Sequence, residues 1–181
     1  MKKGRNDMET KVTLIECPNE MDWVEVRRRC LVTAGKEFDE KVPSMEWRRK
    51  LLEARHSPIR YLRFSFYVEC PYWVSVHLCR HVHAQPYVRS QRNDRQHDYD
   101  RNAARQDAPV AMIWDVNAEE LMVIANKRLC AKASPETREV VELMRDEVEQ
   151  ACPEFRGLLV PMCEYNGGVC HEINGCGRCG K

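Results

Sequence analysis

Apolar and polar residues alternate between Leu62 and Glu69, and this alternation constrains the fold more than any other feature of the chain. Phe64, Phe66 and Val68 lie on one side of the pattern, and the intervening positions are largely polar. A strand with one apolar face needs neighbouring strands and a layer of structure that covers this face. The sequence therefore predicts a half-buried sheet with helices packed against it. A second strand is predicted at 10–16, where β-branched residues cluster.

Capping signals place helices before and after this strand. Ser134-Pro135-Glu136 combines an N-cap residue, a proline at the first helical position and an acid in the first turn. Pro71 suits the first turn of a helix that delivers Arg80 and His81 to its own end. Helices are predicted at 20–32, from Ser44, at 72–81, from Asn117 and from Ser134. The predicted order is β-α-α-β-α, an arginine-rich loop over 82–109, then α-α and a cysteine-rich tail, which makes an α+β fold in which helices predominate.

The composition limits the classes of protein that remain. The chain has 181 residues, 43% of them hydrophobic, with 29 Lys and Arg against 28 Asp and Glu. This length suits one compact domain, and the balanced charge excludes a globally basic nucleic-acid coat and a disordered acidic tail. No stretch approaches the roughly 20 apolar residues of a membrane span, and the N-terminus is polar. We therefore expect a cytoplasmic protein with no membrane partner.

Six arginines and no lysine lie between Arg80 and Arg105. Arginine presents a planar, always protonated fork that binds phosphate or carboxylate through two hydrogen bonds, whereas lysine is a hydrated point charge. Aspartates in the same loop offset part of the charge, so a discrete anion pocket fits better than a polybasic strip. A surface loop of Arg–Asp pairs, each worth at most about 1 kcal/mol, is the alternative.

Within this loop, Arg80-His81, then Val82 and seven further residues, then Ser90, resembles the signature of flavin-dependent thymidylate synthases, which reads Arg-His-Arg, seven residues, Ser. Other motifs of that family have counterparts in the same order along the chain. These are Ser57-Pro58, Trp114, Asn117-Ala118, Leu121-Met122 and Arg128-Leu129.

The resemblance implies a thymidylate synthase complementing protein-like fold with a small, mostly antiparallel sheet, typically assembled as a homotetramer. It implies an FAD-dependent methyltransferase that converts dUMP to dTMP, with methylenetetrahydrofolate as carbon donor and NADPH as reductant. By motif position, Arg128 is the catalytic residue that faces the pyrimidine. The other dUMP-binding residues are Arg80, Ser90, Arg92 and Arg105, with Arg101 as a rival for Arg105 because the loop is short. The FAD-binding residues are Ser57, Arg80, His81 and Asn117.

Each residue that the resemblance assigns to the site also has a structural explanation. Arg128 ends a predicted helix, where a cation offsets the helix dipole, and Asn117 is a natural N-cap. A histidine that is satisfied in the core is an alternative explanation of His81, and a turn residue before Pro58 is an alternative explanation of Ser57. The chain also departs from the family pattern, mostly on the flavin side, so a catalytically inactive nucleotide-binding relative is an alternative. The departures are Val82 in place of Arg, Val88 and Arg60 in place of acids, and Val123 in place of Asn.

Residues 156–181 form a cysteine-rich tail behind the domain predicted at 1–155. Cys163, Cys170, Cys176 and Cys179 supply four thiols among several glycines. Four thiolates complete a tetrahedral zinc site, and the terminal Cys-Gly-Arg-Cys resembles a zinc-knuckle turn. His171 is a substitute ligand, while free thiols, redox-active thiols and an iron–sulfur cluster are alternatives. A knuckle of this kind beside the arginine loop also permits a different class of function, a nucleic-acid-binding module.

Overall fold

The computed structural model describes residues 9–92, 94–96 and 99–179, so the polar N-terminus predicted from the sequence lies outside the described residues. The strands are β1 (Lys11–Glu16), β2 (Arg63–Pro71), β3 (Gln85–Val88) and β4 (Pro109–Asn117). The α-helices are α1 (Glu20–Thr33), α2 (Met45–Glu53), α3 (Tyr72–Leu78), α4 (Ala118–Arg128), α5 (Pro135–Ala151) and α6 (Met162–Tyr165). Short 3-10 helices span Ser57–Tyr61 and Pro153–Phe155.

The strands form one antiparallel sheet in the order β1-β2-β4-β3. Phe66 of β2 lies opposite Trp114 of β4, and both side chains are fully buried. The residues on this face alternate with exposed or half-buried ones in both strands, because successive side chains of a strand point to opposite faces. Helices α4 and α5 contribute the other half of the core. The predicted α+β class with a small antiparallel sheet is confirmed.

The predicted element order is wrong between residues 82 and 117, because two strands lie there that the pattern did not indicate. β4 is the central partner of β2, and its buried residues Val110, Met112, Trp114 and Val116 alternate as strand residues do. Two outward positions, Ala111 and Ile113, are also apolar, which blurs the alternation. β3 has four residues, includes a proline and pairs with β4 alone, as expected of an edge strand.

The predicted helix starts agree with the structure. The side chains of Ser44, Asn117 and Ser134 each accept a hydrogen bond from a backbone N–H in the first turn of α2, α4 and α5, respectively. The predicted end of α3 is wrong, because this helix stops at Leu78 rather than at His81. Arg80 and His81 therefore lie in the turn that follows α3.

The register of β2 with β4 determines where α3 and α4 begin. α3 leaves the sheet where Pro71 of β2 lies opposite Pro109 of β4. α4 leaves it at the other end of the same pair, where Asn117 lies opposite Arg63. Both helices pack against β4 and α5, so the end of α3 comes to lie beside α4. In the described part of the chain, no helix has the length and apolar content that crossing a membrane requires.

Candidate functional site

Polar groups gather where the end of α3 lies against α4, and we call them the Arg128 cluster. Arg128 contacts His81 and the backbone oxygen of His77, Glu120 lies beside His81, and the exposed Arg80 is close enough for its charge to act on Arg128. The members are His77, Arg80, His81, Glu120 and Arg128. The fold brings them together because α3 and α4 start at opposite ends of two paired strands and run across the same face of the sheet. The hydrogen-bonded members are as far as 51 positions apart in the chain, so local sequence alone does not create the cluster.

Two hydrogen bonds hold the Arg128 guanidinium. Its Nε donates to Nε2 of His81 over 3.1 Å, and its Nη2 donates to the backbone oxygen of His77 over 3.3 Å. A guanidinium carries five N–H bonds in a fixed plane, so these contacts leave donors for a further acceptor. Arg128 is half-buried, and burial together with the nearby charge of Arg80 lowers the pKa of its guanidinium. It therefore presents a partly desolvated positive charge.

The geometry also assigns the proton of His81. A guanidinium donates hydrogen bonds and accepts none, so Nε2 of His81 must be the acceptor for Arg128. The other ring nitrogen, Nδ1, therefore carries the proton of the neutral ring, and it lies 3.3 Å from Oε1 of Glu120. Burial, followed by the positive charge of Arg128, lowers the pKa of His81 to about 4. At neutral pH His81 is therefore a neutral imidazole beside Glu120, and the two groups do not form an ion pair.

Burial has the complementary effect on Glu120. It raises the pKa of this carboxyl group, with a smaller contribution from Glu119, while His83 acts in the opposite direction. Burial also lowers the pKa of His77, helped by Arg128 and Arg80. The two arginines thus outnumber the single acid of the cluster, and both histidine shifts favour the neutral ring. The arrangement suits an anionic ligand.

We expect acid to destabilise the protein through His81. The pKa of an unperturbed histidine is 6.5, whereas that of His81 in the folded protein is about 4. Between these values the unfolded chain binds a proton that the folded chain does not, so the free energy of unfolding falls as the pH falls. The expected loss is on the order of 3 kcal/mol. Urea unfolding at pH 7 and pH 4.5 measures it, and His81→Asn should lose less stability than the wild type; equal losses would contradict this assignment.

The predicted phosphate-binding residues Arg92 and Arg105 pair with aspartates of their own loop. Arg92 forms a two-pronged ion pair with Asp94 at 2.9 and 2.8 Å, and Arg105 forms the same pair with Asp107 at 2.7 Å in both contacts. Both guanidinium groups are largely exposed. The Ser90 hydroxyl lies in the same loop and accepts a hydrogen bond from the backbone of Arg92. Arg101, the rival for Arg105, is exposed as well.

The predicted flavin-binding residues are only partly available. Ser57 and Arg80 are exposed. Both ring nitrogens of His81 are engaged within the cluster. The side-chain oxygen of Asn117 caps α4 by accepting from the backbone of Glu120 over 3.0 Å, so this residue has the structural role of an N-cap. Within one chain, the fit to a flavin therefore rests on Ser57 and Arg80.

The departure at Arg60 has a local explanation. Its Nε donates to a carboxyl oxygen of Glu119 in the first turn of α4. An acid at position 60 would instead face Glu119 with a like charge. Of the other departures, Val88 lies in β3 opposite Met112 and packs against the core, while Val82 is exposed. Val123 is half-buried in α4.

Sequence reasoning missed Glu120 and His77 as members of this site. The signal for Glu120 was present, because an acid at this position interrupts the broad apolar surface formed by Leu121, Ile124 and Ala125. Glu120 is 8% exposed in the structure. Glutamate is rarely buried unless it has a partner, so an acid within an apolar helical surface indicates one.

The cysteine-rich tail lies close to Arg128. A cavity of about 1550 Å³ separates the tail from the end of α4 and from α5, and Arg128 and the four tail cysteines are among its lining residues. The side-chain amide of Asn126 holds the first part of the tail by donating to the backbone oxygen of Val160 over 2.7 Å. The guanidinium of Arg55 lies 4.1 Å from the ring centre of Tyr165. The tail therefore forms one wall of a cavity that reaches Arg128.

The tail thiols are near one another but do not form a metal site in this structure. A hydrogen bond with Cys163, followed by burial and by the neighbouring thiols of Cys176 and Cys170, raises the pKa of Cys179 to about 11. A Cβ on Gly175 would lie at a contact distance of 3.4 Å from the sulfur of Cys170, so this sulfur packs closely against the backbone at Gly175. Across residues 9–179, leaving aside 93, 97 and 98, no group of three His, Cys, Asp or Glu side chains has a geometry that would hold a metal ion. Zinc binding by the tail stays a prediction.

Comparisons with known proteins bear on the resemblance described above. A family model described as thymidylate synthase complementing protein matches residues 96–154, which include β4, α4 and α5. The predicted resemblance to the flavin-dependent thymidylate synthases is confirmed. The fold of this chain is similar to that in the crystal structure of the UMP/dUMP methylase PolB from Streptomyces cacaoi, bound with 5-Br dUMP. The two structures align with a TM-score of 0.65 and 16% sequence identity, over 83% of this chain and 94% of PolB. A comparison with curated sequences gives no significant match.

The part of the chain matched by the thymidylate synthase complementing protein family contains Asn117, Glu120 and Arg128 but not the signature at 80–92. The structure connects the two parts, because His81 accepts a hydrogen bond from Arg128 and the charge of nearby Arg80 lowers the pKa of Arg128. The comparisons do not favour the nucleic-acid-binding alternative.

Proposed function

We propose that this chain methylates C5 of dUMP to give dTMP, as an FAD-dependent methyltransferase with methylenetetrahydrofolate as carbon donor and NADPH as reductant. The observation that carries the proposal is the contact of His81 with Arg128, with the charge of Arg80 nearby, on a fold shared with a UMP/dUMP methylase. In this reaction C5 gains the one-carbon unit of the folate, tetrahydrofolate leaves, a hydride completes the methyl group, and the hydrogen of C5 leaves as a proton.

Arg128 suits the pyrimidine end of such a substrate. Negative charge develops on the ring oxygens while the new bond to C5 forms, and a fixed donor beside these oxygens stabilises it. The interaction is stronger where water is partly excluded, and Arg128 is half-buried. Its anchored Nε and Nη2 atoms leave the remaining N–H bonds for the substrate. We therefore assign Arg128 as the catalytic residue.

The flavin, when bound, supplies the hydride that completes the methyl group. Exposed Ser57 and Arg80 are the residues of this chain that have free polar groups for it. The sheet face opposite the helices carries apolar residues, among them Ile113 and Tyr87, that are exposed in one chain. Exposed apolar side chains favour burial against another copy of the chain. We therefore propose a homotetramer in which a neighbouring copy adds residues to the site, and we place the protein in the cytoplasm.

Release of tritium from [5-3H]dUMP tests the function, because methylation at C5 displaces this hydrogen. The same assay with [5-3H]UMP shows which pentose is accepted. We expect tritium release that requires methylenetetrahydrofolate and NADPH, together with the visible absorption of bound flavin in the purified protein. Colourless protein that binds neither dUMP nor UMP would overturn the proposal. Binding of dUMP without tritium release would identify an inactive relative.

The proposed phosphate contact predicts a specific kinetic change. Arg92→Ala should raise the KM for dUMP about tenfold and leave kcat nearly unchanged, because the phosphate takes no part in the chemical step. Binding of deoxyuridine, which has no phosphate, should be unaffected. The matched control is Arg95→Ala, an exposed arginine in the same loop. Equal effects of the two substitutions would point to general charge attraction instead.

A further inference from the structure

We infer that Glu120 is a positioning residue of the active site: it holds His81 in the tautomer that accepts a hydrogen bond from Arg128, and it thereby fixes the guanidinium. The inference rests on the proposed function for its kinetic consequence. Its structural part, the path from Glu120 through His81 to Arg128, is testable without any turnover.

The contacts form a path in which each group has a donor on one side and an acceptor on the other. Arg128 donates through Nε to Nε2 of His81 over 3.1 Å, and Nδ1 of His81 lies 3.3 Å from Oε1 of Glu120. The side chains of His81 and Glu120 are 11% and 10% exposed, so water competes little for either contact. The backbone N–H of Glu120 is itself bound by Asn117, which fixes the first turn of α4.

The alternative tautomer of His81 does not fit the same atoms. With the proton on Nε2, this N–H would face the Nε–H of Arg128, and the lone pair of Nδ1 would face a carboxyl oxygen of Glu120. Both contacts would then be repulsive rather than attractive. The carboxyl group of Glu120 therefore selects the tautomer, as a carboxylate does for other functional histidines.

The selected tautomer matters for Arg128 because an arginine side chain has many rotamers. The acceptor at His81 and the backbone oxygen of His77 hold two nitrogens on one edge of the guanidinium, which sets its plane. The other N–H bonds are then aimed before substrate arrives, and this orientation lowers the barrier of the chemical step more than it strengthens binding. Without the acceptor at His81, one of the two anchors is lost.

The first experiment reads the tautomer directly. Long-range 1H–15N correlation spectra of the protein at pH 7, with His81→Asn used to assign the signals, distinguish a proton on Nδ1 from one on Nε2. We expect neutral His81 with its proton on Nδ1 in the wild type. In Glu120→Ala we expect a mixture with a substantial Nε2–H fraction. Wild-type His81 with the proton on Nε2, or with both nitrogens protonated, would overturn the inference whether or not the protein turns over dUMP.

The second experiment measures the kinetic consequence. Glu120→Ala should lower kcat about 10- to 100-fold with a KM within about threefold of wild type. Glu120→Gln retains an acceptor oxygen and should recover most of this loss. The matched control is Glu119→Gln, which removes the neighbouring acid that pairs with Arg60 and should leave kcat unchanged. Thermal unfolding confirms that each variant is folded.

The outcomes separate the two proposals. Absence of turnover in the wild type with His81 protonated on Nδ1 rejects the proposed function and keeps the tautomer assignment. Normal turnover in Glu120→Ala rejects the positioning role and keeps the function. A kcat loss in Glu119→Gln equal to that in Glu120→Ala would also reject the role, because the effect would then reflect the general charge of α4.

Discussion

Replacement of Arg128 by alanine is expected to lower the rate of dUMP turnover about 100- to 1000-fold, the size of effect seen when a single donor to a developing oxyanion is removed. The guanidinium is held by His81 and by the backbone of His77, so it needs little reorganisation when charge develops on the pyrimidine. Loss of the side chain removes a stabilisation that acts in the transition state, and kcat should therefore fall more than KM rises. Single-turnover tritium release with saturating dUMP measures this rate.

Two controls distinguish the loss of an oriented guanidinium from the loss of a positive charge. Lys127→Ala removes an exposed cation one position earlier on α4 and should leave the rate unchanged. Arg128→Lys keeps the charge but not the fork, and its single ammonium group cannot bind His81, His77 and a substrate together in the same plane. A rate near wild type in Arg128→Lys would show that charge alone suffices and would contradict the proposed role of the oriented guanidinium.

Replacement of Phe155 by alanine is expected to lower the free energy of unfolding by about 3–5 kcal/mol. Phe155 is fully buried, and its ring lies edge-on to Phe64 of β2 with 5.2 Å between the ring centres. The side chain thus joins the end of α5 to the centre of the sheet. Its loss leaves a cavity that neighbours fill only in part, since side chains on a strand and on a short helical turn have little freedom to move. Equilibrium unfolding in urea measures the change.

A second phenylalanine provides the control. Phe38 is 62% exposed, and its ring lies near the guanidinium of Arg28 at 5.6 Å. Phe38→Ala should cost no more than about 1 kcal/mol, because little apolar area leaves the core. Similar losses in the two variants would mean that Phe155 is not part of the packed interior.

The sequence predicted the helices better than the strands. Helix starts depend on local chemistry, and Ser44, Asn117 and Ser134 cap α2, α4 and α5 as predicted. The strand β4 depends on its neighbours instead. It lies between β2 and β3, so its outer face retains apolar residues such as Ile113 and the two-residue period is weakened. Short β3 acquires its conformation only by pairing with β4.

The sequence also predicted only those parts of the site that do not depend on contacts between distant residues. Motif order along the chain identified Arg80, His81 and Arg128, which the structure brings together. Glu120 was missed because its role depends on a contact with His81, far from it in the chain, that no motif contains. Arg92 and Arg105 carry aspartates two residues further on, and the surface pairs weighed as an alternative to a phosphate pocket are present in the structure.

If the loop binds the nucleotide phosphate as proposed, those two ion pairs make the binding an exchange of one anion for another. An incoming phosphate must displace Asp94 or Asp107 from a guanidinium that is already neutralised, rather than settle on a bare charge. Singly charged ions such as chloride offer no advantage over the resident carboxylates, whereas a doubly charged phosphate does. The loop should then bind a nucleotide phosphate in preference to chloride. An aspartate displaced by the phosphate becomes available for another contact.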